Sequence, residues 1–352
     1  MQAHLPDDDP LMDDLARHSS LVSDAMRRVL DAQSEPREFY GMMRYHLGWV
    51  DERLRPIAAP GGKGLRASLL LLVNAALGGD EATAVPLAAA IELLHNFSLV
   101  HDDIEDGGTM RRHRAALWSI WGAPLGINAG DGLFSIAHLA LFGSSLRQSE
   151  PGRFIEVLHR FEHTVLHLCE GQHMDMTFEG MTEVSVDEYV RMIAGKSAAL
   201  IASAAWIGAR AVPTADDDTA EVAGRFGQEL GLAFQMQDDI LGIWGDEAVT
   251  GKSTVSDIAS RKKTLPVLLA MAHARGRARE RLRELYSRRG DGEVAECEIL
   301  TILDGTDARV RANEYLQRHV DAAMQALDDL RLPPVAEQRL RRFAGLFVNR
   351  SA

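Results

Sequence analysis

Two short acidic segments are the residues of this chain with the most chemistry to offer. The first, Leu94-His-Asn-Phe-Ser-Leu-Val-His-Asp-Asp-Ile-Glu-Asp106, carries Asp102, Asp103 and Asp106. Helical residues four apart share a face, so Asp102 and Asp106 point the same way, with Asp103 about 100° round from Asp102. Carboxylates crowded on one face repel unless cations neutralise them. Hard oxygen ligands of this kind suit Mg²⁺, which takes one or two carboxylates plus substrate phosphates. The second segment, Phe234-Gln-Met-Gln-Asp-Asp-Ile-Leu-Gly-Ile-Trp-Gly-Asp246, puts Asp238 and Asp239 near the end of another apolar helix. The plain alternative for either pair is a water-exposed cluster at a helix C-terminus. Acid there opposes the helix dipole by roughly 0.3–1 kcal/mol per charge. Breaking that rule twice, in similar apolar surroundings, marks function rather than accident.

Basic residues gather around both segments. Arg111 and Arg112 follow the first, Lys252 and Lys263 follow the second, and Lys63 and Arg66 sit in and after the loop Ala58-Ala-Pro-Gly-Gly-Lys-Gly64. Taken alone, such residues are ordinary surface charge. Beside the acids they suggest a metal–diphosphate site, in which carboxylates hold cations, cations hold phosphate, and Arg and Lys complete the shell. Gly251-Lys252-Ser253 is not a nucleotide-binding P-loop, because the first glycine of that motif is absent and no strand precedes it.

The elements that must position these groups are helices. Ala, Leu, Arg and Glu dominate while Thr, Tyr and Ile are sparse, which favours helix over strand. The patterning predicts helices over 16–33, 36–54, 65–77, 84–106, 128–145, 152–179, 185–207, 219–243 and 265–274, with four more to the C-terminus. Ser185 and Glu188 have capping-box spacing, and Gly107-Gly108 closes the helix of the first acidic segment. Residues 118–122 read as a short connection and 245–263 as a loop. The expectation is an all-α fold, one domain over 16–352 of more than ten helices around a central cavity, behind a flexible tail at 1–15.

A formal net charge of −13 argues against nucleic-acid binding, which wants a basic surface. The acidic N-terminus has no apolar signal-peptide core. The most apolar run, Leu69 to Leu77, falls short of the ~20 residues needed to span a bilayer, so no stable membrane insertion is expected. Cys169 and Cys297 have no metal-ligand spacing and no disulfide framework, which fits a reducing cytoplasm. His101 and His138 read as structural, and Glu105, on another face beside the cluster, as solvated or as a support to the residues that do the chemistry.

At this point the sequence is similar to the trans-isoprenyl diphosphate synthase (polyprenyl synthetase) family, over about Gly61 to Pro266. Asp-Asp-x-x-Asp at 102–106 is followed by Arg111-Arg112. Phe-Gln-x-x-Asp-Asp stands at 234–239, and Gly61-Gly62-Lys63-x-x-Arg66 is the upstream motif. The resemblance implies a prenyltransferase of the short-chain type. An allylic diphosphate ionises on three Mg²⁺ ions, isopentenyl diphosphate attacks the cation, and a proton is lost to the released diphosphate. It implies metal ligation by Asp102, Asp103, Asp106, Asp238 and Asp239. Arg111, Lys196, Gln235 and Lys252, with Lys263, would hold the allylic diphosphate. Lys63, Arg66, His95 and Arg112 would hold isopentenyl diphosphate. Phe97, with Phe234, would line the tail cavity, stopping growth at fifteen to twenty carbons, most simply as geranylgeranyl diphosphate, in a homodimer.

The chain departs from the family pattern at Gly64, Ala67, His113 and Gly242, where Arg, Pro, Gly and Asp are usual. None is a position with a primary role. A terpene cyclase or irregular coupling enzyme on the same fold is the alternative. A non-enzymatic partner subunit is a third reading, weakened because both Asp pairs remain.

Overall fold

The computed structural model describes residues 10–57, 62–181, 183–245, 258, 261–287 and 292–348. The chain runs as α1 (Pro10–Asp31), α2 (Arg37–His46), α3 (Leu65–Ala76) and α4 (Glu81–Glu105). A two-strand hairpin follows, β1 (Met110–Arg111) and β2 (Arg114–Ala115). Then come α5 (Leu117–Trp121), α6 (Ala123–Phe142), α7 (Leu146–Ser149), α8 (Pro151–Gly180) and α9 (Val186–Ile193). A π-helical turn (Ala194–Ala198) leads into α10 (Ala199–Arg210) and α11 (Asp217–Trp244). The remainder is α12 (Leu265–His273), α13 (Gly276–Ser287), α14 (Gly292–Asp304), α15 (Ala308–Asp329) and α16 (Pro334–Val348).

The all-α expectation holds, and its local signals act as read. Ser185 and Glu188 form the capping box of α9, with Glu188 N donating to Ser185 Oγ and Ser185 N to Glu188 Oε2. α4 starts on Asp80, whose carboxylate accepts from Thr83 N at 3.0 Å. α4 packs against α6, α10 against α11, and α11 against α15, while α3 lies between α4 and α10. The central helices are buried almost all round: Leu69 to Val73 of α3 and every residue of α10. Alanine and glycine let these axes approach closely. By length and composition alone, α4, α6 and residues 186–210 are apolar enough to cross a membrane. In α4 and 186–210 most of that apolar surface faces other helices.

Several boundaries differ from the sequence reading. α1 begins at Pro10, inside the stretch expected to be tail, because Leu11 is buried in the core. α2 stops at His46, where Leu47 and Gly48 turn back, and Gly48 has φ +81°. Residues 117–121 are helical, not a bare connection. Residues 185–207 contain a π turn, and a strand pair stands where none was expected.

Candidate active site

The last turn of α4 presents the first acidic segment. Gly107, at φ +64°, ends the helix: Gly108 N donates to Asp103 O at 2.8 Å and Gly107 N to Ile104 O at 3.3 Å. This double closure is a Schellman motif. It fixes where the three aspartates stand.

Asp103 is 3 % exposed and turns to the hairpin. Arg111 donates to Asp103 Oδ1 from Nε at 2.9 Å and from Nη2 at 2.5 Å, and its Nη2 lies 3.5 Å from Asp102 Oδ2. Burial raises the Asp103 pKa, with Arg111 opposing. Burial also works against the charge on Arg111, but Asp103 and Asp102 hold its pKa above the usual value.

Lys196 comes to Asp102 from the π turn. A Cβ on Gly171 would sit 2.1 Å from Lys196 N, and one on Gly195 2.6 Å from His167 O. Only glycine at both positions lets α8 and the turn meet backbone to backbone. The meeting puts Lys196 Nζ 3.2 Å from Asp102 Oδ1 and 2.5 Å from Asp175 Oδ2 of α8. Burial disfavours the ammonium, yet Asp102 and Asp175 raise its pKa above the ordinary lysine range. π turns of this kind are frequent at functional sites. Asp106 has its pKa raised by desolvation and by repulsion from Asp102, with Lys196 and Lys262 opposing.

A second group of cations lies further back along α4. Arg66 Nη1 is 3.3 Å from His95 Nε2. Guanidinium only donates, so Nε2 accepts and the His95 proton sits on Nδ1. Burial, then Arg66 and Arg112, push the His95 pKa well below normal, so the ring is neutral. Arg112 occupies the hairpin turn with His113, at φ +51° and +61°. Lys63 stands exposed just before α3.

The second acidic pair splits. Asp239, expected to bind metal, is 5 % exposed and has three donors: Tyr189 Oη at 2.6 Å, Leu265 N at 2.9 Å and Gln235 Nε2 at 3.0 Å. It ties α11 to α9 and the start of α12. Gln235 Oε1 also accepts from Ser197 Oγ at 2.6 Å, joining α11 to the π turn. Asp238, one residue round, is half-buried.

Lys263, expected to hold the allylic diphosphate, instead points its ammonium at the backbone carbonyls of Phe178, Met181 and Glu179 and caps the C-terminus of α8. Its neighbour Lys262 is, after Lys196, the second lysine whose charge acts on Asp106. Phe234 packs on Phe347 of α16 in the core and does not line the cavity. Lys252 lies outside the described residues.

Between α4, α8 and the π turn lies a cavity of about 290 Å³, walled by Phe97, Ser98, Asp102, Leu168, Lys196 and Leu200. Phe97 stacks against His101 at 4.8 Å and against Phe134 of α6 at 5.2 Å. The carboxylates suit a hard divalent cation: among the described residues Asp103 Oδ2 is buried without a hydrogen-bond partner, and Asp102 Oδ1 has no hydrogen bond beyond its ion pair with Lys196. Among the described residues no three His, Cys, Asp or Glu side chains converge into a ready cage. That fits an ion held jointly by one or two carboxylates and by phosphate oxygens. Sequence reasoning missed Asp175 and Lys262. The acid between two methionines on a helix facing the first segment, and the doubled lysine before Thr264, were the available signals.

Residues 48–328 match the polyprenyl synthetase family model, and the chain belongs to that family. It is 41% identical over 309 residues to a geranylgeranyl diphosphate synthase of Mycobacterium tuberculosis, covering 86% of this chain and 85% of that one. It is 35% identical over 338 residues to a (2E,6E)-farnesyl diphosphate synthase of the same species, covering 94% and 91%. A crystal structure of a polyprenyl synthetase from Streptomyces coelicolor superposes with a TM-score of 0.88 at 34% identity, covering 96% and 99%. The chain is a prenyltransferase, a short-chain isoprenyl diphosphate synthase.

Proposed function

We propose that the chain condenses isopentenyl diphosphate head-to-tail with an allylic diphosphate and releases a product of fifteen to twenty carbons, geranylgeranyl diphosphate first among them. The observation that carries this is the division of the cations into two groups. Lys196 and Arg111 stand among Asp102, Asp103 and Asp175, whereas Arg66 and Arg112 gather round neutral His95. Two anion sites fit a reaction that joins two diphosphates better than a cyclisation, which needs one.

In this reading Lys196, Arg111 and Lys262 hold the allylic diphosphate, with Gln235 fixing the π turn and Lys252 as a further contact. Lys63, Arg66, His95 and Arg112 hold isopentenyl diphosphate. Asp102, Asp103 and Asp106 at the end of α4 and Asp238 of α11 would hold Mg²⁺, three ions per site. Asp103 orients Arg111, and Asp239 anchors α11. The metal, when bound, supplies positive charge for the leaving diphosphate. The apolar cavity shelters the developing carbocation from water. Phe97, backed by Phe134, forms a double ring at the cavity wall that suits a short product.

The experiment is to incubate the protein with Mg²⁺, isopentenyl diphosphate and each allylic primer, and to weigh the products. Prenyl diphosphates of fifteen to twenty carbons support the reading. A cyclised hydrocarbon from a single diphosphate refutes it.

A homodimer in the cytoplasm completes the proposal. Leu125, Ile127, Leu139 and Phe142 of α6 and Ile155 and Leu166 of α8 are exposed apolar residues on helices that touch through Phe142–Phe154, a surface that a second copy would cover. Sedimentation at the monomer mass would exclude it. Cys169 and Cys297 are both exposed free thiols, as a reducing compartment allows.

A further inference from the structure

α8 carries three histidines one turn apart, His159, His163 and His167, none with a part in the chemistry described above. All three are exposed. The first two turn their rings to one another: His159 Nε2 and His163 Nε2 stand 3.2 Å apart, with ring centres at 4.4 Å. His167 stays apart, its ring centre 6.2 Å from that of His163.

Two imidazole nitrogens this close share either one proton or one metal ion. Histidines at i and i+4 on one helix face have the spacing that binds zinc in helical metal motifs. A tetrahedral zinc ion takes each nitrogen at about 2.0–2.1 Å, which sets two ligating nitrogens about 3.3 Å apart. The pair stands at that separation already. The carboxylates next to it are engaged elsewhere, Glu162 by His138 at 2.6 Å and Glu156 by Arg210. Among the described residues no third metal-ligating side chain joins the pair. One chain thus supplies two ligands to an ion that takes four.

The surface around the pair points to the source of the other two. Ile155 and Leu166, before and after it on α8, are 65 % and 52 % exposed. Round the helix His159 falls within about 40° of both, and His163 about 40° further on. Along the helix the two histidines occupy the middle of this apolar stretch. In a two-fold dimer a patch meets itself, so the residues at its middle meet the same residues of the second copy.

We propose that His159 and His163 bind a zinc-class divalent cation between two copies of the chain, two imidazoles from each, and that the ion tightens their association. The inference rests on the dimer surface given under the proposed function. Imidazole suits zinc, nickel and copper, whereas Mg²⁺ keeps to oxygen ligands, so this site and the acidic segments select different ions. An ion that binds the dimer and not the single chain stabilises the dimer by mass action.

The test uses the full chain, stripped of metal with a chelator and dialysed, with Zn²⁺ alone as the probe. Calorimetry should give one Zn²⁺ per two chains, and at least tenfold weaker binding in His159→Ala and in His163→Ala. Sedimentation should show the dimer dissociation constant at least tenfold lower with Zn²⁺ than without it, and no such change in either variant. Turnover with Mg²⁺ should stay within twofold of the parent in both. Circular dichroism checks that the variants fold, and glutamine replaces alanine at either position if one does not. A dimer that binds no Zn²⁺, or binds it as tightly in the variants as in the parent, overturns the site and leaves the dimer standing. One Zn²⁺ per chain, with the dissociation constant unmoved, takes the second copy out of the site and overturns the proposal. A chain that sediments as a monomer with and without Zn²⁺ overturns the dimer reading and the inference with it.

Discussion

Lys196 donates to Asp175 at 2.5 Å while standing 3.2 Å from Asp102, so one ammonium joins α8 to the acidic end of α4. Asp102 is a proposed metal ligand, and a bound cation would compete for its oxygens. Asp175 would then remain to hold Lys196 in place. Asp175→Asn is expected to lower turnover about 10- to 100-fold, equivalent to roughly 1.4–2.7 kcal/mol of barrier, with an unchanged circular dichroism spectrum. A folded variant within twofold of the parent would show that Lys196 needs no such support.

The hairpin turn stores strain. Arg112 and His113 both have positive φ, a conformation that costs a non-glycine residue roughly 1–2 kcal/mol. Two-residue hairpin turns favour glycine for this reason. His113→Gly should raise unfolding free energy by about 1 kcal/mol, after the added freedom of glycine in the unfolded chain is offset, and leave turnover within twofold. Denaturant titration reads the difference. A loss of stability would mean that His113 makes a contact worth more than its strain.

How much of this was legible beforehand follows from geometry. The acidic segments announce themselves through residue type and spacing, while Arg66, His95, Arg111 and Arg112 are marked out by the family resemblance; Arg66 lies 3.3 Å from His95 and Arg111 2.5 Å from Asp103. Adjacent residues were harder to separate. Asp238 and Asp239 differ by about 100° of rotation on a helix, and only packing against Tyr189 and Leu265 decides that Asp239 turns inward. Lys262 and Lys263 are sorted by the turn at Arg261, whose φ is +58°. Asp175 offered only a weak signal, an acid between two methionines, because its partner arrives through the Gly171–Gly195 contact, a tertiary event.

Acid should destabilise the protein through His46. Burial, then Arg112 and Arg111, lower its pKa to about 3. An unfolded histidine takes up a proton near pH 6.5, so below that pH the unfolded state binds more protons than the folded one, and stability falls as pH falls. The loss from His46 alone is about 2 kcal/mol at pH 5, given ~1.4 kcal/mol per pKa unit. His95 adds in the same direction. Unfolding free energies at pH 7 and pH 5 should show the parent losing about 2 kcal/mol more than His46→Gln. Equal losses would mean that His46 is protonated in the fold.

Product length should answer to Phe97. Its ring lines the cavity and rests on Phe134. Phe97→Ala is expected to shift products to longer chains, because the tail fills the space the ring leaves. A purely structural Phe97 would instead cost ~3–5 kcal/mol of stability and leave product length alone. Mass analysis of products from the folded variant separates the two.

The central claim is that the acidic ends of α4 and α11 serve one reaction. Turnover of isopentenyl diphosphate with saturating Mg²⁺ and allylic primer, measured for Asp102→Ala and for Asp238→Ala beside their circular dichroism spectra, tests it most directly. Each folded variant is predicted to lose at least about a hundredfold, or ~2.7 kcal/mol in barrier. A near-normal rate in either one would contradict the claim, because one acidic segment would then suffice.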